Sequence, residues 1–442
     1  MPTDISIAIR KPSLPEVHAS VRVSQSPQFW RRLIGFLGPG FLISVGYMDP
    51  GNWATDIAGG SRFGYTLLFV IMASNLMAIL LQSLSLKLGV ATDRDLAQLC
   101  RETTSRPVSW ALWILAEIAI AACDLAEVIG SAIALNLLFH IPLLYGVLIT
   151  GTDVLLILLL QRWGFRYIEA LVIALIGTIL ALFLVQVFFS RPELWPVLRS
   201  LVVPSPSILK NPGMLYIAIA MLGATVMPHN LYLHSSIVQS RRYNRTPDGR
   251  REAVRMGNID SALALTIALF VNAAILIVAA AAFFRSGHFE VAAIEDAFKL
   301  LSPLVGATCA STLFAIALLA SGQNSSITGT LAGQVVMEGF VQMKLAPWLR
   351  RLITRSLAIV PTIVVVWLMG ERGTEDLLLL SQVILSLQLS FAVVPLVHFT
   401  SSRRHMGEFV NRPWLKALSW SVAFLIAALN GWFLVLMMQG KA

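Results

Sequence analysis

The chain has 442 residues, of which 57% are hydrophobic and only 13% are charged, and its mean hydropathy is +0.75. This composition is far too apolar for a soluble globular protein, so the sequence predicts an integral membrane protein. The formal net charge of +9 then concerns orientation and contact with anionic lipid headgroups, and it does not indicate nucleic acid binding.

The N-terminal segment is polar and precedes the first apolar stretch. Residues 1–28 contain Ser and Pro but no apolar core of a signal peptide, so we expect residues 1–32 to be a retained cytoplasmic tail. Residues 33–442 are expected to form a single transmembrane domain.

Eleven apolar segments are long enough to cross a bilayer, which predicts an all-α polytopic membrane protein with 11 transmembrane helices. In chain order they are 33–59, 65–90, 108–138, 142–160, 168–190, 213–239, 259–284, 304–341, 352–370, 375–399 and 414–438. The third and the eighth exceed one membrane span, so we expect both to be tilted or to extend into water.

The basic residues predict the orientation of these spans. A cytoplasmic N-terminus places most of the 33 Lys and Arg residues on the inner side, which follows the positive-inside rule. The richest inner loop, 240–255, contains Arg241, Arg242, Arg245, Arg250, Arg251 and Arg255. The C-terminus is then outside, and we expect the protein in the cell inner (plasma) membrane.

A similar tetrapeptide occurs twice within apolar segments, as Asp-Pro-Gly-Asn at 49–52 and as Met-Pro-His-Asn at 227–230. Proline removes a backbone donor, so each copy predicts a break in a membrane helix. Carbonyls near a break lose partners that lipid cannot replace. Such breaks are therefore expected beside an ion or a water-filled cavity.

The two breaks lie at equivalent places if the first ten spans form two repeats, about 33–190 and about 213–399, with 414–438 as an additional helix. Five spans per repeat is an odd number, so the second repeat enters the membrane from the opposite side. The sequence therefore predicts a 5+5 inverted repeat with helices 1 and 6 broken at mid-membrane, an arrangement that points to a secondary transporter's binding site.

Side chains around the breaks predict a metal site. A carboxylate at mid-membrane costs about 3 kcal/mol or more, so Asp49 requires a cation, a proton or a basic partner. With Asn52 and carbonyls freed near Gly46 and Ala224, it would form an oxygen cage suited to a divalent ion. A methionine in a membrane helix usually only packs, but the place of Met227 beside the second break favours a thioether ligand and hence a transition metal.

Three further polar residues fit this region. Gln382 could complete the shell of the ion in one conformation. His229 and His234 are five residues apart and lie on different helix faces. They could ligate metal, move protons or hydrogen-bond freed carbonyls, and the sequence leaves these roles open.

The third span contains Glu117, Asp124 and Glu127, whose spacing places three carboxylates on roughly one helix face. Such a stripe predicts a proton pathway. The alternative is ion pairing with Arg350 and Arg351, and the two interpretations are compatible.

Other patterns are less informative. The small and hydroxyl residues between Gly322 and Gln334 favour close helix packing. Cys100, Cys123 and Cys309 have no paired spacing, which predicts inert thiols without a disulfide. Nucleotide-binding and catalytic motifs are absent from the sequence, so we expect no enzyme and no cofactor.

The two broken-helix motifs together with residues 322–334 resemble the Nramp family of divalent metal transporters, and most of all the bacterial proton-dependent manganese transporters. The resemblance runs from about Trp30 to the last helix and implies a leucine-transporter-type fold. It implies proton-coupled import of Mn²⁺, with Fe²⁺ and possible further substrates Cd²⁺ and Co²⁺, by alternating access. It assigns as metal ligands Asp49, Asn52, Met227, the Ala224 carbonyl and, in particular states, Gln382. It associates with proton movement His229, Glu127, Asp124, Arg350 and Arg351.

Two alternatives stay open at this point. A magnesium carrier could share the architecture, although Met227 disfavours it, and a sodium-coupled carrier of an organic solute could share the fold. The only partners expected are the lipid bilayer and the transported ions, with no obligate protein partner. Asn230 could add a ligand, but capping of the second half-helix is favoured.

Overall fold

The computed structural model describes residues 12–15, 17–24, 26–151, 164–289, 291, 293–306, 309–342, 347–369 and 371–439. Nearly all of this part of the chain that forms regular structure is helical, which confirms the all-α class. The predicted fourth span, 142–160, lies only partly within the described residues.

Helices follow one another along both halves of the chain. The first half contains α1 Phe29–Phe36, α2 Pro39–Ser44, α3 Pro50–Phe63, α4 Leu68–Thr92, α5 Leu96–Thr103, α6 Arg106–Phe139, α7 Leu143–Thr150, α8 Phe165–Ser190, α9 Leu194–Val202 and α10 Ser207–Lys210. The second half contains α11 Pro212–Thr225, α12 Pro228–Ile237, α13 Pro247–Ala279, α14 Ile294–Val305, α15 Ala310–Val341, α16 Pro347–Met369, α17 Glu371–Thr400, α18 Arg403–Met406 and α19 Pro413–Met438. Short 3₁₀ turns cover Val45–Met48, Gly64–Leu67, Val238–Ser240 and Gly407–Phe409, and a π-helical turn covers Ala280–Phe284.

Both predicted breaks are present. The first helix runs through α2 and its 3₁₀ turn, leaves helical geometry at Asp49 (φ −69°, ψ 168°) and resumes as α3. The second ends at Thr225, passes through Val226 and Met227, and resumes as α12. Each resuming helix starts with proline, where the missing N–H would have no partner within the helix. The proline of each motif therefore starts the second half-helix.

Several helices are long enough to span a bilayer. Within the described residues, seven helical stretches are sufficiently long and apolar: Pro50–Thr92, Arg106–Phe139, Phe165–Ser190, Pro212–Ser240, Pro247–Phe284, Gly373–Thr400 and Pro413–Met438. The shorter apolar stretch Pro39–Met48 precedes the first of them. The third and eighth predicted spans correspond to helices of 34 and 32 residues, as their apolar lengths indicated. The total of eleven spans stays a prediction.

Glycines let the helices that surround the breaks approach closely. A Cβ at Gly130 of α6 would lie 2.1 Å from the Cβ of Pro50, and a Cβ at Gly322 of α15 would lie 2.2 Å from the hydroxyl of Ser131. The segment 322–334 therefore packs against α6, as predicted. These contacts place α6 and α15 beside the first break.

Residues 12–15 and 17–24 of the N-terminal tail lie against the helix bundle. Leu14, Val17 and Val21 are buried in the main hydrophobic core. Strand β1 (Val21–Arg22) pairs in parallel with β2 (Arg241–Arg242), which follows α12. The predicted boundary at residue 32 also falls inside α1. Apolar residues within the tail therefore attach it to the helix bundle.

Ionic groups fix the N-terminal half of the first broken helix. The carboxylate of Asp260 accepts the N–H groups of Gly38 and Gly40 at 3.1 and 2.6 Å. The fully buried Arg241 pairs with Glu169 at 2.6 Å and donates to the Leu37 carbonyl at 2.6 Å. A buried charge without such partners would be strongly destabilising. These contacts hold α2 against α8 and α13.

The close approach between α4 and α12 can be tested at Gly89. A Cβ there would lie 2.1 Å from the backbone carbonyl oxygen of Ser235, which can move only if the helix moves. We expect Gly89→Ala to lower the free energy of unfolding by about 1–3 kcal/mol, measured by thermal unfolding in detergent. Gly431→Ala is the control, because nothing lies within 4 Å of its Cβ position. Equal melting temperatures for both variants would contradict the packing.

Candidate metal site

Asp49 lies at the first break, between the 3₁₀ turn and α3. It is fully buried, and its Oδ1 accepts the backbone N–H of Asn52 at 2.9 Å as the N-cap of α3. Its Oδ2 is buried and has no hydrogen-bond partner among the described residues, nor does an ion pair there involve Asp49. The helix N-terminus stabilises only part of this charge. One carboxylate oxygen is therefore available to a cation.

Asn52 links the two breaks. In the amide orientation that satisfies its neighbours, Nδ2 donates to Asp49 Oδ1 at 2.7 Å and to the Ala224 carbonyl at 3.2 Å. Its Oδ1 then accepts from Nδ2 of Asn272 at 3.2 Å. Two acceptor oxygens from different repeats thus converge on one donor group, which is the arrangement that a cation also requires.

Met227 lies at the second break as the N-cap residue of α12, fully buried. It packs in a small cluster with Ala119, Cys123 and Leu385. A Cβ at Gly46 would lie 3.1 Å from its sulfur. The thioether of the second break therefore contacts the backbone of the first break, as the sequence predicted for a shared site.

Gln382 of α17 lies between the two broken helices. A Cβ at Gly51 would lie 1.9 Å from its Nε2, and a Cβ at Gly223 would lie 2.0 Å from its backbone oxygen. Its side-chain Oε1 is buried without a hydrogen-bond partner in the described part of the chain. This amide oxygen is a further oxygen atom near both breaks that could coordinate a cation.

Side chains from other helices bind carbonyls that the first break releases. Asn272 donates to the Tyr47 carbonyl at 2.8 Å. The Met48 carbonyl accepts the hydroxyl of Ser321 and, at 3.3 Å, the indole N–H of Trp53. Helices α13 and α15 thus supply the polar partners that lipid would not.

The carboxylates of α6 divide into two groups. Asp124 and Glu127 are buried and face α15, because a Cβ at Gly329 would lie 3.1 Å from an oxygen of each. Glu117 is half-buried and accepts the indole N–H of Trp113 at 3.1 Å. The structure therefore brings two of the three predicted carboxylates together and places the third about two turns away along the helix.

Cys123 lies between the carboxylate pair and Met227. It packs in the same cluster as Met227, and its thiol lies 3.7 Å from Glu127 Oε1. His229 is buried in α12, two residues after Met227. The side chains of Arg350 and Arg351 lie outside the described residues, so their pairing with these carboxylates stays a prediction.

His234 belongs to a different polar chain. Its Nδ1 lies 3.0 Å from Gln82 Oε1 and its Nε2 lies 3.3 Å from the hydroxyl of Ser261. Gln82 in turn donates to the Tyr47 hydroxyl at 2.7 Å. The two histidines of α12 thus point to separate networks, as their spacing predicted.

Some polar residues near the site were not identified from the sequence. Asp56 lies seven residues after Asp49 on the same helix face, is buried, and interacts electrostatically with Asp49. Gln82 was also not identified. Both are polar residues within predicted spans, and that simple signal would have found them.

The arrangement can bind a dehydrated divalent cation. Carboxylate, amide and carbonyl oxygens suit many divalent ions, and a thioether adds preference for a transition metal. Hydrogen bonds join Asp49, Asn52 and the Ala224 carbonyl, the Met227 sulfur lies beside Gly46, and Gln382 lies beside Gly51.

Comparison with known proteins identifies the family of this chain. The profile of the family described as "Natural resistance-associated macrophage protein-like" (Nramp) matches residues 40–436. The divalent metal cation transporter MntH of Nostoc sp. is 63% identical over 430 residues, covering 97% of each chain. That of Listeria innocua is 61% identical over 419 residues, covering 95% of this chain and 93% of the relative.

Solved structures agree. The Eremococcus coleocola manganese transporter superposes with a TM-score of 0.88 at 44% identity, covering 95% of this chain and 90% of that one. Mhp1, a nucleobase-cation-symport-1 transporter, gives a TM-score of 0.62 at 14% identity over 91% of each chain, which shows the fold alone. The fold is thus the predicted leucine-transporter type. With a family profile and close relatives that span nearly its whole length, this chain belongs to the Nramp family of membrane proteins.

Proposed function

We propose that this protein imports divalent transition metal ions, with Mn²⁺ preferred and Fe²⁺, Cd²⁺ and Co²⁺ as further substrates, in symport with protons across the cell membrane. The relatives described above are transporters of divalent metal or manganese and not enzymes. The observation that supports the proposal best is that both breaks contribute polar groups to one buried region: Asn52 joins Asp49 to the Ala224 carbonyl, and the Met227 sulfur lies beside Gly46 of the first break.

A bound metal ion would take the place of the hydrogen-bond donor that Asn52 now supplies. Its Nδ2 lies between two acceptor oxygens, those of Asp49 and Ala224. A cation in this place would bind the same two oxygens, and rotation of the amide would present Oδ1 as a third. Rotation would also end the hydrogen bond from Asn272. A cation would thus replace hydrogen bonds between the repeats by coordination bonds.

The membrane potential favours import. Moving one elementary charge inward gains about 2.3 kcal/mol per 100 mV, and a divalent ion gains about twice that. Alternating access, in which one helix group moves against the rest, would release the metal on the inner side. A cotransported proton adds its own gradient.

The carboxylates of α6 provide the proposed proton route. Protonation of Asp49 would help the metal to leave, because a neutral carboxyl binds cations weakly. In this route Cys123, which lies beside both Glu127 and Met227, and the buried His229 would stand between Asp49 and the pair Asp124 and Glu127. Protons would pass from Asp49 to this pair; Arg350 and Arg351 belong to the proposed route from the family resemblance alone.

Removing either predicted ligand tests the metal site. We expect Asp49→Ala to abolish saturable Mn²⁺ uptake into proteoliposomes, because Asp49 is the one proposed ligand with a formal charge. We expect Met227→Ala to retain uptake but to let Ca²⁺ compete, because the remaining oxygen donors suit hard ions. Met221→Ala is the control, since Met221 is equally buried on α11 but contacts Gly59. Full calcium resistance of Met227→Ala would contradict its role as a ligand.

Proton coupling is tested at Asp124. We expect Asp124→Asn to reduce the internal acidification that accompanies Mn²⁺ uptake by about a hundredfold or more, a typical loss for a proton-transfer group. An internal pH dye measures it alongside metal uptake. Asp296→Asn, at an exposed carboxylate of α14, controls for the loss of one charge. Unchanged metal-driven proton flux in Asp124→Asn would exclude this route.

A further inference from the structure

Asn230, the last residue of the second motif, does not cap its helix. It is the third residue of α12, whose N-cap shows no side-chain hydrogen bond, so the capping role favoured by the sequence is wrong. Its Nδ2 donates instead to the carbonyl of Ile43 at a distance of 3.3 Å. Ile43 lies 187 residues earlier in the chain. The side chain is fully buried. Its hydrogen bond therefore links the second broken helix to the first.

The same amide group occupies the space over Gly46. A Cβ at Gly46 would lie 2.3 Å from Asn230 Nδ2 and 3.1 Å from Met227 Sδ. Asn230 and Met227 therefore contact one backbone position of the first break from the same half-helix. Asn230 sits only one helical turn from Met227. Its bond to Ile43 thus fixes the start of α12, and with it the backbone of the N-cap residue Met227, against that break.

Each asparagine of the two motifs donates a hydrogen bond to the other repeat. Asn52, third in α3, donates to the Ala224 carbonyl of the second repeat. Asn230, third in α12, donates to the Ile43 carbonyl of the first repeat. Each half-helix is thus bound to the partner repeat through its own asparagine. Asn52 also bonds to Asp49, whereas Asn230 lies on the Met227 side of the site.

We propose that Asn230 is a positioning residue that holds the Met227 thioether against the first break and thereby sets the preference of the site for transition metals over Ca²⁺ and Mg²⁺. This inference rests on the proposed function, in which Met227 is a ligand. The hydrogen bond to the Ile43 carbonyl requires an N–H donor at position 230, so the informative substitutions are those that remove this donor. Leucine has a similar volume without a donor, and aspartate has the same shape but only acceptors when ionised.

The experiment measures Mn²⁺ uptake and its inhibition by Ca²⁺ in proteoliposomes for Asn230→Leu and Asn230→Asp. We expect each to raise the KM for Mn²⁺ relative to that for Ca²⁺ by about tenfold, the effect of one buried hydrogen bond. The control is Asn430→Leu, because Asn430 is buried, donates to the Ser386 carbonyl at 2.6 Å and lies between α17 and α19. That control should lose stability without a change in the KM ratio.

A double variant separates positioning from general destabilisation. If Asn230 acts through Met227, adding Asn230→Leu to Met227→Ala leaves the KM ratio of Met227→Ala unchanged. Additive effects in the double variant would overturn the inference, and so would an unchanged KM ratio in both Asn230→Leu and Asn230→Asp. A lower KM for Mn²⁺ in Asn230→Asp would also overturn it, because it would make Asn230 a ligand. If Met227→Ala itself leaves the ratio unchanged, the ligand role of Met227 in the proposed function is wrong. Should Asn230→Leu fail to fold, Asn230→Asp alone decides.

Discussion

The rest of the structure depends on carbonyl groups that two broken helices cannot satisfy within themselves. Near the first break, those of Ile43, Tyr47 and Met48 accept hydrogen bonds from side chains of α12, α13 and α15. Near the second, the Ala224 carbonyl accepts one from Asn52. Lipid offers no such donors, so each break determines which polar residues its neighbouring helices must carry. Polar residues inside these apolar spans are therefore structural as well as functional.

The same constraint explains where glycine lies. Donor side chains are short, so the helices that carry them must approach the breaks closely. Gly51 accommodates Gln382, Gly46 accommodates Asn230, and Gly130 accommodates Pro50, each so closely that a Cβ would force the neighbouring group to move. Because close packing is the main attraction between helices in lipid, these contacts also stabilise the bundle. The site and the core are thus built by one set of contacts.

Local patterns predicted the helical class and both breaks, because apolar length and proline position act within a few residues. Contacts between distant segments were harder to predict. Asn272 was visible as a polar residue in a span, but nothing in the sequence assigns it to the Tyr47 carbonyl. Capping was the expected role for Asn230 because capping is a local rule, whereas its actual partner is in the other repeat. The packing of the N-terminal tail was equally hard to predict, because its few apolar residues, such as Leu14, are buried only by the folded bundle.

In the proposed function, binding and movement are connected because the same groups take part in both. The Asn52 amide donates to Asp49 of its own repeat and to the Ala224 carbonyl of the other repeat, and a cation would bind these two oxygens. A ligand shifts a conformational equilibrium only through contacts that differ between the states. A cation that replaced the amide donor of Asn52 would change the bonds between the repeats, which are the contacts that alternating access would have to alter. A site at the helix breaks would therefore couple ion binding to conformation more directly than a site between intact helices.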